Sequence, residues 1–220
     1  MSNTVTPGTV TELLRHGKGV RVADPDSGGR GGDDRIVAVV VDILETEGYE
    51  AVQLREVARR ARTSLATIYK RYGTRDELIV AAIEVWLAEH RYSGVQARPR
   101  EPGTTLYAAL MGLMRTIFEP WERHPGMLTA YFRVRSAPGG LKLFRRGLDI
   151  VGPAGLELLA GVDDEFVASL DAILSNVIYG LLGRFAAGEI AITDILPTLD
   201  RTVYWLTKAY EASLDAQGSS

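Results

Sequence analysis

The chain has 220 residues, 46% hydrophobic and 24% charged, enough apolar side chain to fill one large core or two smaller ones. It contains no cysteine, which excludes disulfides, thiolate metal sites, iron–sulfur clusters and a cysteine nucleophile. The formal net charge of −3 excludes a protein that is basic all over, yet Tyr49 to Arg75 carries seven basic and two acidic residues, +5 locally and −8 elsewhere.

Residues 1–32 read as a flexible tail, because Pro7, Gly8, Gly17, Gly19, Pro25 and the run from Ser27 to Gly32 break any periodicity. A short helix over Thr11 to Arg15 would bury little, and glycines that follow no strand do not form a dinucleotide-binding loop. Basic residues of this tail are balanced by acids, so disorder is favoured over a DNA-binding arm. Order is expected from Asp33. Ile36, Val37, Val40, Val41 and Leu44 share one helical face, Asp33 and Asp34 suit its positive end, and Gly48 its stop. Leu54, Val57, Ala58 and Ala61 repeat the spacing in a shorter helix. A third begins after Ser64 as N-cap, presents Ile68 inward and runs to about Tyr72. Thr74 and Glu77 have the spacing of a capping box opening a fourth helix, which continues to about His90.

Pro99, Pro102 and Gly103 mark a domain boundary. Beyond it Leu106, Leu110, Leu113, Met114, Ile117 and Phe118 form an apolar stripe ending near Pro120. Helices are expected over Pro125–Arg135 and Leu141–Leu159, with Pro138-Gly139-Gly140 between them. Another runs from Asp163-Asp164 to Gly188, and a last one, capped by Thr193, ends near Leu214. No strand and no internal repeat is visible, so the fold class is all-α. The division expected is a head at 33–78, whose fourth helix reaches about 90, a helical body at 91–214 and a flexible end at 215–220. The first ten residues lack a charged start followed by an apolar stretch, and no run approaches the ~18 apolar residues of a membrane span. A cytoplasmic protein with no membrane partner is expected.

Catalysis finds no support. His16, His90 and His124 are widely spaced, and no paired-histidine metal motif, nucleophile elbow, P-loop or Rossmann fingerprint occurs. Asp163-Asp164 sits where a helix start wants acids. Neither metal nor cofactor is expected.

Two short helices joined by a tight turn inside a basic segment make a helix-turn-helix candidate. Gly48-Tyr49-Glu50-Ala51, Leu54-Arg55-Glu56-Val57-Ala58, Ser64 to Tyr72 and Thr74-Arg75-Asp76-Glu77-Leu78 together resemble the DNA-binding domain of TetR-family regulators, over Asp33 to Leu78. Within the family, Gly48 to Arg55 is similar to repressors of cholesterol and lipid breakdown in actinobacteria.

A recognition helix in the major groove offers its N-terminal residues to base edges. Leu65 and Ala66 can touch thymine methyls or fit groove shape, and Thr67, beside Ser64, can bond a base or a phosphate. Tyr69, Lys70, Arg71 and Arg75 would grip phosphates, although Tyr69 can instead pack on the fourth helix, as Tyr72 is expected to do. Arg55 matches a family position that reaches a base. Arg59 and Arg60 are read as solvated. Two departures from the family pattern stand out. Arg62 replaces the usual turn glycine, so the turn is either strained or differently shaped, with Arg62 facing phosphate. Gln53 replaces a small hydroxyl cap; it caps poorly but can still contact phosphate.

The resemblance further implies a homodimer through a bundle of the last two long helices, with Ser175, Gly180, Leu181 and Gly183 facing Val203, Leu206 and Ala209. It also implies an effector cavity, for which Met111, Met114, Phe118, Trp121, Met127, Tyr131, Phe132 and Tyr179 are the candidates, each with core packing as the alternative. Arg133 or Arg135 would then neutralise an acyl or phosphate end of the ligand. A lipid, steroid or acyl thioester would suit such a cavity. The function expected is therefore a ligand-responsive repressor on palindromic double-stranded DNA. The alternative is a helical sensor or interaction protein with the same fold and no selective DNA binding.

Overall fold

The computed structural model describes residues 30–136 and 140–218. The tail expected at 1–29, with its short helix and His16, lies outside the described residues, as do 137–139 of the expected proline–glycine turn and the last two residues. Among the described residues every regular element is helical.

The head comprises α1 (Arg30–Thr46), a 3-10 turn (Tyr49–Ala51), α2 (Leu54–Ala61), α3 (Leu65–Tyr72) and α4 (Arg75–Trp86). α1 starts three residues before the expected Asp33, taking Gly31 and Gly32 into its first turn. Its predicted face is the head's core: Ile36, Val37, Val40 and Leu44 are buried, together with Ile43, and Gly48 ends the segment at φ 87°. Val57, Ala58 and Ala61 from α2, Ile68 from α3 and Leu78, Ile79, Ala82 and Ile83 from α4 close this core, while Leu54 and Tyr72 pack against it half-buried. Ser64 Oγ accepts from the Thr67 amide at 3.0 Å and Thr74 Oγ1 from the Glu77 amide at 3.1 Å, so both residues cap as expected, although the Thr74 amide bonds the Tyr72 carbonyl and the capping box is half-formed. α4 runs on through a π-helical segment, Leu87–Arg91, to the head's far end.

The body comprises α5 (Leu106–Arg123), α6 (Pro125–Ser136), α7 (Leu141–Leu158), α8 (Asp164–Ala186) and α9 (Ile195–Gly218). α5 does not end at Pro120; its stripe extends through buried Pro120 and Trp121. α9 is not capped by Thr193. A 3-10 turn (Ile192–Asp194) precedes it, in which Asp194 accepts from the Ala191 amide at 2.8 Å, and Pro197 falls in the first helical turn. α9 also outlasts Leu214, continuing to Gly218. Asp163 does cap α8, accepting from the Glu165 and Phe166 amides.

Head and body meet through α6, which lies against α1 and α4 on one side and α8 on the other. The approach is close: a Cβ added at Gly126 would lie 2.6 Å from the Leu44 carbonyl. Trp86 stacks on Trp121 at 4.8 Å, and Glu45 accepts from the Trp86 indole at 3.0 Å while pairing with His124 at 2.7 Å. One core thus runs through both parts.

Candidate nucleic-acid interface and internal cavity

The turn between α2 and α3 takes the shape that glycine would give it. Arg62 has φ 50° and ψ 48°, the one non-glycine positive φ among the described residues. Its amide bonds the Arg59 carbonyl and the Thr63 amide bonds that of Ala58, the paired bonds of a Schellman ending. The turn is therefore strained rather than reshaped, and Arg62 is left exposed. Gln53 makes no side-chain cap; its Nε2 donates to the Glu50 carbonyl at 3.1 Å, tying the 3-10 turn to the start of α2.

The basic segment divides into paired and outward-facing cations. Arg59 and Arg60 both donate to Glu56, and Arg60 also reaches Glu47, with Nη1 at 2.5 Å. Hydrogen bonds from Arg59 and Arg60 hold the Glu56 carboxyl down at about 2. Both are paired with carboxylates; Arg59 is solvated as expected, whereas Arg60 is half-buried between Glu47 and Glu56. Arg75 departs from its expected phosphate role. Its Nε donates to the Val52 carbonyl at 2.6 Å and Nη2 to that of Tyr49 at 2.5 Å, and its guanidinium lies 4.6 Å from the Tyr49 ring centre. It clamps α4 to the turn ahead of α2.

Arg55, Ala66, Tyr69, Lys70 and Arg71 are exposed, Tyr69 by 52%, so Tyr69 does not pack away on α4. Leu65 and Thr67 are half-buried. Thr67 Oγ1 lies 2.8 Å from Ser64 Oγ, which already accepts from the Thr67 amide. With Ser64 as donor in that pair, the Thr67 hydroxyl keeps its own proton for an outside acceptor.

The predicted cavity exists, about 250 Å³ in volume, but most of its walls are not the predicted ones. Met114, Phe118 and Tyr131 line it. Met111, Trp121 and Met127 instead fill the core, at 2% exposure or less. Phe132 packs beneath Gly183, and Tyr179, beside it, is exposed. The missed wall is α7, through Phe144, Gly147, Val151 and Gly155. The signal available was glycine at 147, 152 and 155 in a predicted helix, where each costs about 1 kcal/mol relative to alanine and needs a reason. Arg91 and Arg135 also line the cavity. Arg133 does not; it pairs with Glu50 and lies 5.2 Å from the Tyr49 ring, bridging body to head.

The interface residues expected on α8 and α9 divide as well. Leu181 and Val203 are buried within the chain, Gly183 abuts Phe132 and Ser175 lines the cavity. Gly180 and Ala209 are exposed, and Leu206 is half-buried. The larger apolar groups left outside on these two helices are Ile173, Tyr179, Tyr204, Trp205 and Leu214, with Trp205 68% exposed. α8 is long and apolar enough to cross a membrane by length and average composition, although it holds no long uninterrupted apolar run, as expected. Polar Asp171, Ser175 and Asn176 break the runs without lowering the average much. In the fold this helix packs on α6 and α9.

Two family models match the chain. One, described as bacterial regulatory proteins, tetR family, covers residues 36–82. The other, described as tetracyclin repressor-like, C-terminal domain, covers residues 103–206. Among curated relatives, the HTH-type transcriptional repressor KstR of Mycolicibacterium smegmatis is 27% identical over 177 residues, spanning 77% of this chain and 83% of the relative. KstR of Mycobacterium tuberculosis is 27% identical over 180 residues, spanning 77% of each. A solved TetR transcriptional regulator from Rhodococcus sp. RHA1 shares the fold at a TM-score of 0.61 and 18% identity, over 82% of this chain and 97% of that one. These relatives are regulators by name, not enzymes.

Proposed function

Because the chain belongs to the TetR family of bacterial transcriptional regulators, we propose that it is a repressor that binds a palindromic operator as a homodimer and is released by a small apolar or amphipathic effector. The observation that carries this reading is the outer face of the helix-turn-helix. α3 is held rigidly by its Ser64 cap and presents Ala66, Tyr69 and Lys70 outward. Arg55 on neighbouring α2 and Arg62 in the turn after it stand exposed with no carboxylate partner among the described residues, while Arg59 and Arg60 are paired with Glu56 and Glu47.

In this assignment the head spans 33–78 and the body 91–214. Leu65 and Ala66 meet base edges, with Arg55 as the arginine best suited to a guanine. Tyr69, Lys70, Arg71, Arg62 and the Ser64–Thr67 pair hold phosphates. Exposed Gln53 reaches a phosphate from the edge of that surface, and Arg75 acts behind it, holding the turn it rests on. The exposed faces of α8 and α9, with Ile173, Gly180, Tyr204, Trp205 and Ala209, support the dimer: an apolar helix with small residues is suited to close packing against a second copy. Such a dimer would set its recognition helices about 34–36 Å apart, one DNA turn, or a multiple of it. The site of action is the cytoplasm, where the operator is. An effector relieves repression only by binding the DNA-incompetent form more tightly.

Selection from random duplex DNA by the purified protein at near-physiological salt tests the reading. The expected product is an enriched palindrome. Binding without enrichment that fades steeply with salt would instead mean electrostatic contact alone, and the protein would be a sensor that has kept only the fold.

A further inference from the structure

The cavity has two cationic groups and no carboxylate paired with either. Arg91 ends the π-helical segment that extends α4, and Arg135 lies in the last turn of α6. Both line the same cavity, whose remaining walls are chiefly leucine, isoleucine, methionine, phenylalanine and glycine. Among the described residues neither arginine forms an ion pair. Arg91 Nη1 donates to the Tyr92 hydroxyl at 3.2 Å, but its Nε is buried with no hydrogen-bond partner. Four aromatic rings surround its guanidinium, with Trp121 at 5.2 Å and Tyr92 at 5.3 Å, then Phe118 and Tyr131 at 5.9 Å. Arg135 lies 4.1 Å from the Phe144 ring centre and 4.7 Å from that of Tyr179. Burial lowers its pKa, opposed by the Tyr131 and Tyr179 hydroxyls, and nearby Arg91 lowers it further. The cavity's own carboxylate, Asp171, accepts from Ser175 Oγ at 3.2 Å.

This arrangement is costly as it stands. Faces of aromatic rings attract a cation by about 2 kcal/mol when desolvated, but they offer nothing to an in-plane N–H. A buried guanidinium N–H without an acceptor forfeits about 1–3 kcal/mol or more. The two like charges also repel one another across the cavity wall. An anion placed between the two guanidiniums removes both penalties at once, because a planar oxyanion accepts the parallel N–H bonds that an arginine fork presents.

We propose that the cavity binds a compact amphipathic carboxylic acid, its apolar body among Met114, Ile117, Val151 and Leu174 and its carboxylate between Arg91 and Arg135. The volume favours a medium chain or a small ring system, since about 250 Å³ falls just below the usual range of roughly 300–1,000 Å³ for small-molecule pockets. Leu156 of α7 both lines the cavity and is exposed to solvent. This inference rests on the effector reading above and gives that effector its chemical class.

Calorimetric titration of the full-length protein with octanoate, decanoate and dodecanoate, against the alcohols of equal length, separates the two levels of the argument. Each is used below its aggregation concentration. At least one acid is expected to bind about tenfold or more tighter than its alcohol. That ratio should collapse in Arg91→Gln and in Arg135→Leu, with alcohol binding retained. Arg135→Lys, which keeps the charge, guards against loss of folding and should preserve most of the preference. Alkyl phosphates of the same lengths extend the comparison, and binding of phosphates to the exclusion of acids would overturn the carboxylate assignment. Equal affinity for acid and alcohol would overturn the anion site while leaving an effector cavity in place. No binding by any of them would overturn both.

Discussion

Replacing Arg62 by glycine is expected to stabilise the protein, and the geometry sets the size of the effect. Arg62 closes α2 at φ 50° and ψ 48°, a left-handed conformation that costs an L-residue with a side chain roughly 1–2 kcal/mol. Glycine escapes that cost but gives back roughly 0.5–1 kcal/mol through its freer unfolded chain. The net gain is about 0.5–1 kcal/mol, a rise of roughly 2–4 °C in Tm for each kcal/mol in a chain of this size. Arg62→Ala serves as control, because alanine loses the same charge and keeps the same strain. Urea unfolding at fixed protein concentration measures both variants. The glycine variant should unfold at higher urea with an unchanged m value, and the alanine variant near the wild type. Equal midpoints for the two would refute the strain argument. DNA binding provides an independent reading: if Arg62 holds a phosphate, both variants reduce the slope of log K against log salt by about one.

Other consequences follow from the same contacts. Arg55→Ala should relax specificity at one base position by about 1–3 kcal/mol; an unchanged profile across operator variants would remove it from base contact. Arg75→Ala should destabilise the head by roughly 1.5–3 kcal/mol, the value of hydrogen bonds to a charged group, and leave the salt slope of DNA binding intact. A slope lowered by about one would return Arg75 to the phosphates. The Glu56 carboxyl, held near 2 instead of its ordinary 4.5 by Arg59 and Arg60, is depressed in the folded state. Its stabilisation is therefore complete above about 4.5 and lost as pH falls through about 2. The stability gap between wild type and Glu56→Gln should close over that window, and a pH-independent gap would contradict it. Ile173→Glu should lower the mass measured by light scattering to that of the monomer, since Ile173 is exposed on α8; an unaltered dimer would place the interface elsewhere.

Helix-turn-helix chemistry was legible because its determinants are local. Ser64 and Thr74 each bond an amide three residues on, and the glycine-like turn announces itself through the one residue that resists it. Arg75 was not legible, because the carbonyls it holds belong to Tyr49 and Val52, more than twenty residues away. Next to a helix start, an arginine looks the same whether it faces a phosphate or its own chain. The lining of the cavity was only partly legible, for a related reason. Periodicity places a residue on the inward side of a helix but does not say whether it meets other side chains or empty space. Met111 and Met114 share α5, yet Met111 is core and Met114 lines the cavity. Arg91 escaped notice because the helix was expected to end near His90, whereas its π-helical continuation runs through Arg91.

α6 belongs to both halves of the molecule, and under the proposed function its contacts are the route by which occupancy of the cavity would be felt at the head. Twelve residues long, it measures about 18 Å at 1.5 Å per residue. Tyr131 and Arg135 line the cavity, Arg133 holds Glu50 and the Tyr49 ring from the adjacent turn, and Gly126 rests on the backbone of α1. The Tyr49 ring in turn lies against Arg75, which fixes the path into α2. Exposed as it is, the Arg133–Glu50 pair contributes little energy by itself. The tight Gly126 contact matters more, because packed backbone does not compress and a tilt of α6 must be taken up by α1 or by the turn. A ligand that draws Arg135 toward Arg91 acts on the same helix turn that carries Arg133. The shift it can impose on DNA affinity is bounded by how differently it binds the two positions of α6. A tightly bound ligand indifferent to that position would occupy the cavity and regulate nothing.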